Sequence, residues 1–418
     1  MFVARKIAEI AGTYGQFEYA LRVINQLQDR TKKLDCILAL AAGLLQGGQG
    51  NKGRDLIPTL QKALASEELL KWDRGRGFDL LIRLLHQAGR HQEAHSTFDE
   101  ALHGEHYSHS LLESATLLGQ EKELCESCLP RDKVAVLLGK EQYDEVALLF
   151  HSLTDENEKT WVVEKWITLV ASTPWRKYVP SLIDSLSPEK QSTLYCQLAG
   201  TLLAAHIVIG VQQVINEALA KARHLPPFAR AVAFARLVSI LGRKERKEES
   251  ESVAQEALNI ANEQAKSSKE VLLEELGVHS ARGGLLAFAR LICAHLEDEE
   301  RRGAVEAEIV LTLIKKGDRQ GAREVVARIN NPEARVRAGA LFVESCLPVR
   351  GATWALRQVR LILELADMRQ ANKQSLLSLA PIIFQCAQDE CQHKEAEEIF
   401  DELLEILLSE EQPSQRAA

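Results

Sequence analysis

Residues 78–102 read FDLLIRLLHQAGRHQEAHSTFDEAL, and two amphipathic runs meet in this stretch at one glycine, Gly89. Phe78, Leu81, Ile82 and Leu85 recur at helical spacing and line one face of the first run. Ala94, Phe98 and Ala101 or Leu102 do the same in the second. A glycine between two such runs can adopt a left-handed backbone, ending one helix and letting the chain reverse into the next. The stretch predicts a helical hairpin.

The same signature recurs elsewhere: a glycine, a small residue five positions on, and a bulky apolar residue four further. It is present as Gly15, Ala20, Ile24 and as Gly317, Ala322, Val326. Ala396 and Phe400 repeat its second half, with Cys391 in the glycine's place, and Val146 with Phe150 is a looser copy. Ala20 and Ala94 lie 74 residues apart, as do Ala322 and Ala396, which suggests paired units of about 37 residues.

These residues resemble the tetratricopeptide repeat (TPR) family, whose unit is a helix, a tight turn and an antiparallel helix. The motif's Trp, Leu, Gly and Tyr correspond to Phe78, Leu81, Ile82 and Leu85, and its second-helix Ala and Phe to Ala94 and Phe98. Three first-helix positions are substituted, and the closing proline is missing after residue 102. The resemblance implies an all-α chain, a right-handed α-solenoid of about twelve antiparallel hairpins, with first helices lining a concave groove. Turn signals place those first helices near residues 2, 31, 75, 107, 131, 158, 189, 227, 269, 299, 332 and 372. Pro130, Pro188, Pro226, Pro227 and Pro332 mark several of the joints, where a missing amide hydrogen costs nothing. Residues 1–410 are expected to form one continuous array. The unit near 107–129 is short, a bend is expected near 172–190 where STPWRKYVP interrupts the helical pattern, and 411–418 form a disordered tail.

Composition agrees with a folded helical chain of 418 residues: 46% hydrophobic, 26% charged, 5% aromatic, with 11 prolines. The formal charge of -8 is spread evenly, with 23 basic and 27 acidic residues up to position 200. No basic half exists to neutralise a phosphate backbone, so nucleic acid is not the expected partner. The basic run GRKERK at 242–247 is followed at once by EESE, a self-compensating solvated face. The N-terminus MFVARKIAEIAG reads as no signal peptide. The stretch between Lys190 and Glu217 lacks charges, but Gln197, Thr201, His206, Gln212 and Gln213 interrupt it and its apolar positions keep a helical period, so a buried helix pair is expected rather than a membrane span. Eight scattered cysteines fit reduced thiols and a cytoplasmic location.

Three motifs invite chemical readings. HQEAH at 91–95 places Glu93, not residue 92, between two histidines, about 100° round the helix from where a zinc-hydrolase base belongs. His106 and His109 followed by Cys125 and Cys128 have spacing compatible with a structural zinc, although the intervening residues read as a helix and turn. GQGNKG at 48–53 follows a helical segment rather than a strand and reads as a flexible interhelical turn. No catalytic residue, cofactor or metal ligand is assigned.

What remains is surface. The resemblance implies ligand-facing positions thirteen, ten, six and three residues before each turn glycine. Gly89 then points to Arg76, Asp79, Arg83 and His86; Gly15 to Phe2, Arg5, Glu9 and Gly12; Gly317 to the apolar Ala304, Ala307, Leu311 and Ile314. Arg5, Glu9, Arg76, Asp79, Arg83 and His86 are the expected partner-binding residues of a non-enzymatic scaffold that takes a protein or an extended peptide. An RNA-binding helical repeat is the alternative, disfavoured by the charge balance, and a metal-dependent enzyme follows it. The sequence specifies no membrane role and no oligomeric state.

Overall fold

The computed structural model describes residues 2–65, 71–103, 111–120, 140–170, 179–205, 210–243, 246–365, 373–389 and 391–408, together with residues 124, 133, 134, 137 and 138. His106, His109, Cys125, Cys128, Pro130, the helix starts near 107 and 131, most of the STPWRKYVP segment and the tail 411–418 lie outside the described residues. The described residues form helices and turns, with no strand among them. None of those helices is long and apolar enough to cross a membrane. The chain divides into two compact units, Met1–Val136 with Val343–Ala418, and Leu137–Phe342.

The first unit begins with α1 (Phe2–Thr13), α2 (Phe17–Gln26) and α3 (Arg30–Gln46). Asp29 starts α3 by accepting the amides of Thr31 and Lys32 at 2.8 and 3.1 Å, satisfying two donors that a helix start leaves open. A 3₁₀ turn at Gly50–Leu56 leads into α4 (Ile57–Leu64), followed by α5 (Lys71–Gln87), α6 (His91–His103) and α7 (Leu112–Leu118). The segment expected to be a flexible turn at 48–53 is thus built in. Gly50 and Gly53 are buried, and a Cβ on either would strike Gln87 or Leu84 of α5. Periodicity does not register a backbone segment whose side-chain-free surface is its packing surface.

The second unit holds α8 (Tyr143–Ser152), α9 (Glu156–Val170), α10 (Val179–Asp184), α11 (Pro188–Ala204), α12 (Val211–Arg223), α13 (Pro227–Arg243), α14 (Lys247–Asn262), α15 (Lys266–Arg282), α16 (Leu286–His295), α17 (Glu299–Lys315) and α18 (Arg319–Arg328). Here α11, α13, α15 and α17 each pack on the helix that follows them, and the first three also pack on the next member of the series. Neither member of such a pair could cover its apolar stripe alone, so stacking is what buries it. The expected buried helix pair between Lys190 and Glu217 corresponds to α11 and α12. The chain continues through α19 (Pro332–Arg350), α20 (Ala352–Leu365), α21 (Lys373–Leu376), α22 (Ala380–Cys386) and α23 (His393–Leu408).

Glycines do what the opening stretch asks of them. Gly15, Gly89 and Gly317 have φ of 68°, 77° and 77°, and the next residue's amide reaches back to the carbonyl five positions earlier: Gln16 to Ala11, Arg90 to Leu85, Asp318 to Leu313, at 2.7–2.9 Å. The small residue five past the glycine then meets the first helix, and Ala20, Ala94 and Ala322 are fully buried. Gly284 with Ala289 is a further instance, and Glu141 takes the left-handed position before Val146 and Phe150, which are also fully buried. Val326 differs from expectation. It is half-buried, and Ile329 fills the core beside it.

Within the first unit, the beginning and end of the chain pack together. α1 contacts α22, and Tyr19 of α2 lies edge-on to Phe384 and Phe400 at 5.4 and 4.7 Å. Gln16 donates to the Phe384 carbonyl at 3.3 Å, and Gln385 to the Tyr14 hydroxyl at 3.1 Å. Arg22 bonds Glu397 and pairs with Asp401 at 3.4 Å.

Candidate partner-binding surface

The six expected partner-binding residues all sit on first helices of the first unit, α1 and α5, and their surroundings differ. Arg5 is half-buried and approaches Asp35 of α3 at 3.7 Å. Glu9 pairs with Lys6 at 3.1 Å, while its backbone carbonyl accepts from the Thr13 hydroxyl at 3.0 Å. Both side chains stay within reach of solvent. Gly12, the fourth position of that row, turns inward instead: a Cβ there would come within 2.6 Å of the Leu40 carbonyl.

On α5 the row is more tied down. Asp79 is only 8% exposed, and its Oδ1 accepts from the hydroxyl and amide of Ser114 at 2.7 and 3.3 Å. Arg83 reaches its Oδ2 at 3.3 Å and also bonds Glu113. The group therefore joins α5 to the α7 region. Burial pushes the Asp79 carboxyl above its ordinary value, against the Ser114 and Arg83 hydrogen bonds, which favour the anion. Arg76 and His86 are half-buried. His86 stacks edge-on against His91 at 4.5 Å, and burial followed by His91 and His95 pushes its imidazole below the usual range. Sequence spacing puts all four on one helical face, but it cannot tell that Asp79 meets a buried serine 35 residues away.

The raised Asp79 carboxyl makes a pH prediction. A group whose folded pKa exceeds its unfolded value contributes stability that is fully present below the unfolded pKa and lost as pH rises through the folded one. Asp79→Asn holds the neutral form at every pH. The melting temperature of Asp79→Asn relative to wild type should therefore climb as pH rises from the ordinary aspartate range upward. A relative fall over that interval, in thermal melts at matched ionic strength, would contradict the assignment.

The histidine pair of HQEAH lies on the surface. His91, Gln92, Glu93 and His95 are exposed around the fully buried Ala94, and Glu93 is held by Arg90 at 2.5 Å. Among the described residues, no group of three or more His, Cys, Asp or Glu side chains is placed to hold a metal ion.

In the second unit, Ala304, Ala307, Leu311 and Ile314 of α17 are all half-buried. This row is apolar where that of α5 is charged. A second feature, without a local signal in the sequence, is a cavity of about 340 Å³ beside the contact of the chain's ends, lined by residues including Tyr19, Arg22, Lys52, His393 and Glu397. Lys52 spans its edge by donating to the Gly15 carbonyl at 3.0 Å. Sequence comparison supplies no further identity: no family model matches this chain, and no curated protein matches it.

Proposed function

We propose that this chain is a non-enzymatic helical-repeat scaffold whose hairpins wind as a right-handed, TPR-like α-solenoid and which binds another protein or an extended peptide along its first helices. The observation that carries the reading is the packing of α11, α13, α15 and α17 in series, each also covered on one side by its following helix. Such a stack leaves one face of every first helix unburied, and on α17 that face offers Ala304, Ala307, Leu311 and Ile314, half-exposed and apolar. A preorganised row of this kind binds through several modest contacts without ordering costs of its own. A cytoplasmic setting fits the scattered thiols: Cys196, Cys293 and Cys386 have their pKa values raised chiefly by burial, and they behave as small hydrophobes.

The test is crosslinking mass spectrometry in the native cell, comparing wild type with Ala307→Glu/Leu311→Glu and with Arg223→Glu on the second helix α12. A partner crosslinked to wild type should be lost from the α17 variant and retained by the α12 variant. Equal retention by both overturns the binding face. Turnover of a metabolite by purified protein that crosslinks to nothing overturns the scaffold.

A further inference from the structure

Successive hairpin turns of the second unit are in contact. A Cβ on Gly242, in the last turn of α13, would come within 2.2 Å of the Gly283 carbonyl, so the end of α13 meets the α15–α16 turn backbone to backbone. Lys316 donates to the Gly284 carbonyl at 3.4 Å, which joins the α17–α18 turn to the same edge. Along that edge lie Arg243, Arg246 and Lys247, then Arg282, then Lys315, Lys316 and Arg319, with Arg323 one helical turn further along α18.

Part of this charge is internally compensated. Arg246 pairs with Glu249, Lys247 with Glu251 at 3.7 Å and Arg282 with Glu308 at 3.1 Å. Arg243, Lys315, Arg319 and Arg323 are exposed and make no ion pair among the described residues. Asp318, next to Arg319, has an oxygen committed to the Gly321 amide at 2.8 Å as the cap of α18, and Glu324, next to Arg323, accepts from the Gln320 side chain at 2.9 Å.

Helix dipoles account for some of these cations but not for all. Arg243 and Lys315 stand in the last turns of α13 and α17, where a positive charge is favoured. Arg319 and Lys247 open α18 and α14, and Arg323 follows one turn later. The start of a helix is the end that disfavours positive charge. Local stability therefore argues against the residues that complete the edge.

We propose that this three-turn edge is a docking site for an acidic, extended protein segment. Packed helices are spaced 8–10 Å apart, so successive turns present cations at about the interval of every third residue of an extended chain, which advances about 3.3 Å per residue. In a duplex the phosphates of one strand advance about 3.4 Å along the helix axis, so most of them would face no cation of the edge. The residues of the three turns, 242–247, 281–285 and 315–319, include no aromatic side chain on which a base could stack. None of the strongly exposed large apolar residues lies on these turns, so nothing there would enter a lipid surface. The site is distinct from the first-helix face, so either can fail without the other.

Fluorescence anisotropy of the full chain with a labelled peptide of about twelve residues, glutamate at every third position among serine and glycine, tests the proposal. Wild type should bind, with affinity falling as salt rises. Arg243→Glu/Lys315→Glu/Arg319→Glu should weaken binding by about tenfold or more, and the milder glutamine triple by less. A control triple, Lys62→Glu/Lys140→Glu/Arg223→Glu, should bind within about twofold of wild type. Circular dichroism checks that each variant keeps its helix content; if the reversal triple unfolds, the glutamine triple decides. Absence of binding by wild type, equal weakening by the control, or tighter binding of a single-stranded RNA oligonucleotide or of phosphatidylserine vesicles each overturns it.

Discussion

The Gly43→Ala protein is expected to lose about 3 kcal/mol of stability or more, the upper end for overpacking of a closely fitted interior. A methyl group there would stand 2.0 Å from the Glu9 carbonyl oxygen and 3.0 Å from the Thr13 amide, so it meets backbone rather than a side chain able to swing away. Gly12 and Gly47 repeat the arrangement against Leu40 and Thr13, and together the three glycines let α1 and α3 lie backbone to backbone. Gly89→Ala supplies the contrast. Its φ of 77° strains any other residue, but nothing lies within 4 Å of an added Cβ, so the cost should stay near the ~1–2 kcal/mol of a left-handed L-residue. Urea midpoints at unchanged slope would compare the two. Equal losses would mean that α1 separates from α3 easily and that close approach does not set the geometry of the first unit.

Those two glycines also mark what a linear sequence could reveal. Gly89 is legible because its role is local: two helical runs meet at it, and Ala94 stands at the fixed offset where the second helix must approach the first. The hairpins around Gly15 and Gly317 are legible for the same reason. Gly119, Gly210 and Gly351 take the same left-handed conformation with φ of 70°, 83° and 81°, yet Leu124, Ile215 and Leu356 follow at the fifth position. A small-residue signature at that fixed offset passes over them, and after Gly351 the fully buried alanine, Ala355, stands one position earlier. Gly43 and Gly50 are silent in the sequence, since their partners come from other helices.

The candidate surface divides along the same line. That Arg76, Asp79, Arg83 and His86 share one face follows from helical spacing alone. That Asp79 is buried against Ser114, while Arg5 and Glu9 remain half-exposed, depends on which segments later in the chain cover each helix. The turn edge shows the converse case. GRKERK reads as self-compensating by itself, and the Arg246–Glu249 and Lys247–Glu251 pairs agree with that reading. Arg243 of the same run stays unpaired among the described residues, and the other uncompensated cations, Lys315, Arg319 and Arg323, belong to another turn, which becomes a neighbour only when hairpins stack.

The contact between the chain's two ends carries the second large prediction. Tyr19 is 1% exposed, with its ring against Phe384, Phe400 and His393 and the Arg22 guanidinium 5.4 Å from its centroid. Truncation to alanine removes the centre of this cluster and should cost about 3–5 kcal/mol, as for other buried aromatic residues. The phenol, by contrast, finds no hydrogen-bond partner among the described residues, and burial, with Glu397 adding to it, pushes its pKa up to about 12. It remains a neutral, desolvated hydroxyl at every ordinary pH, and a buried polar group without a partner is a net cost of about 1–3 kcal/mol. Tyr19→Phe keeps the ring, its edge-on contacts and the guanidinium above it while deleting only that cost. The phenylalanine protein should therefore be at least as stable as wild type, with the alanine protein several kcal/mol below both in the same urea titration. A loss in Tyr19→Phe comparable to that in Tyr19→Ala would show that the hydroxyl is bonded after all. The joining of the first and last hairpins would then rest on that bond rather than on aromatic packing.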